Sequence, residues 1–220
     1  MHLKTDDLGD IELHRVHAEP SPLDSTANLH LNKNYKTKVK FNELYKLVRI
    51  LGAGGFGIVV HAKCRQTQRN LALKITQHSL VRLTSAARSL QNEYDLLTSE
   101  INHPNIIKVF ERTLEQEYSN YIIMEMELGL ETLKQFKNRV RNLTELQCSQ
   151  IMKGIFSALE YLHDVKNVIH RDIKPENVVI MDYDDLTKVK LIDFGLAVHS
   201  SMNQVRDFAK CGTLLYTPPE

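Results

Sequence analysis

Between Tyr45 and Ile75 the apolar positions fall in three short runs, Leu47 to Leu51, Ile58 to Ala62 and Leu71 to Ile75, separated by glycines or polar turns. Runs of this length bounded by turn residues predict strands, and the lack of a helical stripe between the first two predicts a meander. A helix is predicted from about Ser85 to Ser99, with Pro104-Asn105 closing the loop after it and Ile106 to Phe110 and Tyr121 to Met126 as further strands. Behind Thr144 and Gln147, which are spaced for a capping box, Ile151, Ile155, Leu159 and Leu162 recur at helical spacing. A long helix ending near His163 follows from that pattern. Val178 to Ile180 and Val189 to Ile192 predict a short hairpin with Asp182 to Thr187 as its polar turn. Residues 1 to about 43 are polar, include Pro20-Ser21-Pro22, and hold neither period. A mostly disordered N-terminal extension is expected there.

Composition narrows the class. The chain has 220 residues, 42% hydrophobic and 25% charged, which is ordinary for a globular protein. With 28 basic against 27 acidic residues the formal net charge is +1, so no global field favours nucleic acid or a membrane surface as a partner. Cys64, Cys148 and Cys211 are odd in number and lack metal-ligand spacing, which predicts free thiols in a reducing compartment. The N-terminus lacks an apolar signal region, and an intracellular, soluble protein, cytoplasmic or nuclear, is expected.

The chemistry concentrates in His170-Arg171-Asp172-Ile173-Lys174-Pro175-Glu176-Asn177 and in Asp193-Phe194-Gly195. Asp172 is the candidate acceptor of a substrate hydroxyl proton, and Lys174 would neutralise a transferring phosphoryl group. Asn177 and Asp193 offer two hard oxygens, which suffices for magnesium because that ion keeps phosphates and waters as its other ligands. Upstream, Gly52-Ala53-Gly54-Gly55-Phe56-Gly57-Ile58-Val59 reads G-x-G-x-x-G-x-V. Alone such glycines also mark dinucleotide folds and ordinary turns. A dinucleotide site, however, needs the glycines to open a helix and an acid about twenty positions on, whereas here a β-branched run follows and Lys74 stands at that distance. Ala72 shares a strand face with Lys74 and leaves room for a flat base. Glu93 is the acid predicted to pair with Lys74.

From about Tyr45 to Glu220 these motifs resemble the eukaryotic protein kinase family, and Lys174 with Gly212-Thr213 resembles its serine/threonine branch. The resemblance implies an α+β, bilobal fold: a β-rich N-lobe at about 44–127 with one helix, and a mainly helical C-lobe from about 128. It implies transfer of the γ-phosphoryl of ATP, with Mg2+, to Ser or Thr of a protein substrate. It further implies that Leu51 through Val59 cover the nucleotide, that Val59, Ala72 and Val179 sandwich adenine, and that Met124 is the gatekeeper. Backbone groups of Glu125 and Glu127 would bind adenine, and Leu97, Val109, His170 and Phe194 would form a stacked spine.

Departures from the family pattern add expectations. An ungapped alignment puts Tyr94 where Glu93 is needed, so a one-residue insertion near Ser99-Glu100 is expected. Ala209 replaces a common phosphate-accepting Thr, which leaves Ser200, Ser201, Thr213 or the charge of Asp207 as substitutes. Glu131 and Glu176 resemble positions that hold a substrate arginine. Cys211 to Leu214 and Pro218-Pro219-Glu220 are similar to Aurora-type kinases, over too few residues to choose among AGC, CAMK and Aurora-like subgroups. Because the family has more C-lobe helices than the sequence through Glu220 can supply, an incomplete C-lobe is expected. The alternative reading is a truncated ATP- or partner-binding fragment without catalysis.

Overall fold

The computed structural model describes residues 12–16, 36–54, 57–77, 93–113, 121–200 and 212–216. They belong to two compact units, residues 1–79 with 111–125 and residues 80–110 with 126–220.

In the first unit, β1 (Glu12–Val16) pairs antiparallel with β2 (Lys36–Lys40), and α1 (Phe41–Leu44) follows at once. This corrects the expectation of an irregular leader at these positions, because Lys36-Thr37-Lys38-Val39-Lys40 alternates over a short run and Phe41 gives the segment an apolar anchor that is 2% exposed. The rest of that leader lies outside the described residues. The three predicted strands are present as β3 (Tyr45–Gly54), β4 (Gly57–Cys64) and β5 (Asn70–Gln77). They join β6 (Val109–Thr113) and β7 (Tyr121–Glu127) in a sheet of order β3-β4-β5-β7-β6. The meander β3-β4-β5 is antiparallel, with bulges between Leu47 and Arg49 and between Ile50 and Gly52. Ile58, Val60, Ala62 and Cys64 alternate inward along β4 and meet Leu71, Leu73, Ile75, Ile123 and Phe41 in one cluster. Each such aliphatic side chain, taken fully out of water, stabilises by about 1.5–3 kcal/mol.

The second unit is built on helices and short ribbons. Glu93 to Asp95 are helical and run into a π-turn, Leu96–Glu100, in which the Ile101 N–H reaches the Leu96 carbonyl at 3.0 Å. β8 (Glu131–Thr132) leads into α2 (Leu133–Val140), capped by a Thr132/Gln135 capping box. α3 (Glu145–Glu160) starts at the predicted Thr144/Gln147 capping box, buries Ile151, Gly154, Ile155 and Ala158, and continues as a π-turn over Tyr161–Val165. β9 (Val168–Ile169) then precedes the predicted hairpin of β10 (Val178–Ile180) and β11 (Val189–Leu191). That hairpin extends to the three-stranded order β11-β10-β8, and β12 (Val198–His199) pairs with β9. α3 packs on β11. Gly154 permits this approach: a Cβ there would sit 2.5 Å from the Thr187 carbonyl oxygen. Ile106, expected to open a strand, instead makes an isolated parallel bridge to Leu191, and β6 begins at Val109. Among the described residues no helix is long and apolar enough to cross a membrane.

Candidate active site

Alternation decides which predicted residues of the first unit share a face. Val59 lies opposite Lys74, and His61 opposite Ala72, across β4 and β5. Val59, Ala72 and Lys74 therefore share the face opposite the packed Ile58, Val60, Leu73 and Ile75. Leu51, Gly52, Ala53 and Gly54 end β3, and Gly57, Ile58 and Val59 begin β4, with Gly54 opposite Gly57. Gly55 and Phe56 lie outside the described residues. Gly57 has φ 146°, and a Cβ there would stand 2.1 Å from the Ile75 carbonyl oxygen, so the fold itself requires glycine. Gly52 is different, because a Cβ there would meet nothing within 4 Å. Met124 is 1% exposed, and the Glu125 carboxylate accepts a hydrogen bond from the Tyr45 hydroxyl.

In the second unit the loop after β9 gathers Asp172, Lys174, Asn177 and, from far along the chain, Thr213. The Asp172 carboxylate is 8% exposed and almost fully partnered. Its Oδ2 accepts from Lys174 Nζ at 2.6 Å and from Asn177 Nδ2 at 2.8 Å, and its Oδ1 accepts from the Thr213 hydroxyl at 2.9 Å. Lys174 Nζ also donates to that hydroxyl at 2.8 Å, so Thr213 links the carboxylate and the lysine. Burial pushes the Asp172 carboxyl up, but the bonds from Lys174 and Thr213, the Lys174 charge and the Asn177 bond together hold it below the usual range. It is therefore a carboxylate at neutral pH, oriented by donors on both oxygens.

Asn177 is fixed by the turn Pro175–Asn177, and its Nδ2 donates to the Asp172 carbonyl at 2.9 Å as well as to the carboxylate. Both neighbours are acceptors, so the amide nitrogen must face them and Oδ1 points elsewhere. Its main chain ties it to the next ligand candidate: the Ile192 N–H reaches the Asn177 carbonyl at 3.0 Å, and Asp193 is the following residue. Asp193 and Arg171 both hold φ 65°, a left-handed conformation uncommon for such side chains. The strain is held in place by packing and polar contacts around the loop. His170, 1% exposed, sets Nε2 3.1 Å from the Ile192 carbonyl and packs edge-on against Phe194 at 4.7 Å between centroids. Burial keeps the His170 imidazole below its ordinary pKa. Arg171 Nε donates to the Leu196 carbonyl at 2.6 Å.

Glu93 is 1% exposed and accepts the Phe194 N–H at 3.3 Å, while Tyr94 is partly exposed. The π-turn at Leu96–Glu100 accommodates one extra residue per turn, in the place where an insertion is expected from the spacing. Leu97 and Val109 are buried, and the Val179 side chain lies over Gly129, where a Cβ would be 1.8 Å from Val179 Cγ1.

Some expected roles meet competition. The Glu127 N–H donates to the Lys108 carbonyl at 3.0 Å, so that donor is engaged within the fold rather than presented to a base edge. The Thr213 hydroxyl is held by Asp172 and Lys174, and a phosphate on it would bring like charge against Asp172, which disfavours Thr213 as an activating phosphosite. Glu131 accepts from Arg139 and Tyr183, and Glu176 from Lys134 at 2.7 Å, so neighbours already occupy the two acids expected to hold a substrate arginine. Ser201, Asp207 and Ala209 lie outside the described residues. Thr213 is the site residue whose structural role the sequence reading missed; the Gly212-Thr213 pair was its only signal.

The donor set suits magnesium in kind: Asn177 Oδ1 and the Asp193 carboxylate are hard oxygens. Among the described residues no group of three or more His, Cys, Asp or Glu is arranged to hold a metal by itself.

Comparison with known proteins identifies the family. The protein kinase domain family matches residues 45–220. Calcium-dependent protein kinase 4 of Plasmodium berghei is 34% identical over 187 residues, covering 84% of this chain and 34% of that protein. Serine/threonine-protein kinase DCLK1 of Rattus norvegicus is 33% identical over 190 residues, 86% of this chain and 42% of its own length. Serine/threonine-protein kinase PLK4 of Drosophila yakuba is 32% identical over 180 residues, 81% and 22% respectively. The chain thus spans less than half the length of these relatives.

Proposed function

Because this chain belongs to the protein kinase family, we propose that it transfers the γ-phosphoryl of ATP, with Mg2+, to Ser or Thr hydroxyls of a protein substrate. The observation that carries the proposal is the Asp172 carboxylate, buried yet ionised, with Lys174 and Thr213 fixed beside it at 2.6 and 2.9 Å.

Asp172 orients the incoming hydroxyl and accepts its proton. A carboxylate held below its usual range is a weak base, which suits a loose transition state where the hydroxyl loses its proton late. Lys174 places its ammonium where a phosphoryl group arriving at that hydroxyl would meet it, and the Thr213 hydroxyl shares that ammonium with the carboxylate. Asn177 Oδ1 and Asp193 would hold magnesium, which would offset the negative charge of the phosphates. In the first unit Lys74, on the face shared with Val59 and Ala72, would bind phosphate. Gly52 supports a close ligand approach, since nothing inside the fold requires glycine there.

The test is Mg-ATP-dependent phosphorylation of a mixed set of Ser-, Thr- and Tyr-containing peptides by the chain. Label is expected on Ser and Thr peptides, with loss of at least about a hundredfold in Lys74→Met. Transfer to Tyr peptides alone, or label that survives Lys74→Met unchanged, would refute the proposal.

A further inference from the structure

Strand β11 has three residues, too few for its own packing to fix register firmly, and a slip of one would turn Val189 and Leu191, each 1% exposed, away from the core. One edge pairs with β10. The other edge is clasped by residues 105–107: Asn105 O accepts the Leu191 N–H at 2.9 Å, and Leu191 O accepts the Ile107 N–H at 3.0 Å. Asn105 Nδ2 also reaches the carbonyls of Thr187 and Val189, both at 2.8 Å.

Lys190, on the face opposite Val189 and Leu191, completes the clasp. Its Nζ lies 2.6 Å from Glu127 Oε1 and 3.3 Å from the Ile106 carbonyl. The same Glu127 oxygen accepts the Lys108 N–H at 2.7 Å. The two side chains are only 17% and 22% exposed. An ion pair withdrawn this far from water adds little net stability over apolar residues of equal volume, and its best-attested use is to specify register. Here the register has a consequence. Two residues beyond Lys190, Ile192 bonds His170 through its carbonyl and Asn177 through its N–H, and Asp193 follows.

We propose that Lys190 and Glu127 are positioning residues for magnesium: by locking β11 against residues 105–108, they set Asp193 relative to Asn177. The inference rests on the reading of Asp193 and Asn177 as the metal ligands.

The experiment uses Mn2+ as a paramagnetic stand-in, titrated by electron paramagnetic resonance into the chain with ATP. Melting temperature and ATP affinity in EDTA are measured alongside. Lys190→Met and Glu127→Gln are expected to weaken Mn2+ binding about tenfold, and Lys190→Met to leave metal-free ATP affinity within about twofold. Lys190→Arg, which keeps the pair, should bind Mn2+ like the unmodified chain. Glu127→Gln retains the acceptor for Lys108 and so decides the matter even if Lys190→Met does not fold. Lower melting temperatures with unchanged Mn2+ affinity would overturn the inference by showing a merely structural role. If Asp193→Asn weakens Mn2+ binding but Lys190→Met and Glu127→Gln do not, this inference alone fails. If Asp193→Asn itself changes nothing, the metal-ligand reading fails and takes the inference with it.

Discussion

The face of β4 and β5 and the loop from His170 to Asn177 are organised by different forces. On the sheet, Val59, Ala72 and Lys74 share a face because the opposite face carries Ile58, Val60, Leu73 and Ile75 into a core. Side-chain direction there follows from period two, and apolar burial fixes it. In the loop, direction comes from a handful of polar bonds: Asp172 has a donor on each oxygen, Asn177 has two acceptors, and Arg171 and Asp193 hold left-handed backbones. The sheet should tolerate polar changes on the face of Val59 and Lys74 but not the loss of apolar volume behind it. The loop should behave in the reverse way, losing chemistry before stability.

The largest effect expected on the sheet side is from Ile75→Ala, whose side chain is 0% exposed. It should lower unfolding free energy by about 2–5 kcal/mol in denaturant titrations. A loss well below that range would mean that the core does not fix this face.

On the loop side, Thr213→Ala removes the donor to Asp172 Oδ1. A hydrogen bond to a charged group is worth about 1.5–3 kcal/mol, so kcat should fall roughly ten- to a hundredfold with a small shift in Tm, while Thr213→Ser keeps most of the rate. Equal losses of stability and rate would erase the contrast between the regions.

The smallest effect is on pH. Burial holds His170 and His103 below the ordinary imidazole value, with the Lys190 charge adding to the shift at His103. A depressed folded pKa means that the unfolded chain binds more protons, so this stability is complete above about pH 6.5 and is lost as pH falls below it. Unfolding free energy should decline from pH 7.5 to 5.5, with a shallower slope in His170→Phe. An identical slope would remove His170 from the explanation.

How much of this was legible depends on the distance over which each feature is specified. The strands β3 to β5 follow from local alternation and glycines, and the start of α3 from Thr144 and Gln147. The same capping pattern at Thr132 and Gln135 was present to be read and was not. The ribbon of β1 and β2 was missed because its alternation is short and its partner strand distant. Counting residues alone points to Tyr94; Glu93 follows from the need for an acid, and a π-turn at Leu96–Glu100 takes up the extra residue. Contacts such as Thr213 with Asp172, 41 residues apart, and Tyr45 with Glu125, 80 apart, leave no periodic trace. Pairing across such separations is settled by the fold, which is also why the Glu127 N–H went to Lys108.

Asp172→Asn tests the central claim most directly, because the amide keeps the size of the carboxylate and removes its charge. Single-turnover phosphoryl transfer should slow by about 10²–10⁴-fold, while the dissociation constant for Mg-ATP stays within about twofold. Transfer at the unmodified rate, or a rate loss matched by an equal loss of nucleotide affinity, would contradict the assignment of Asp172 to the transfer step.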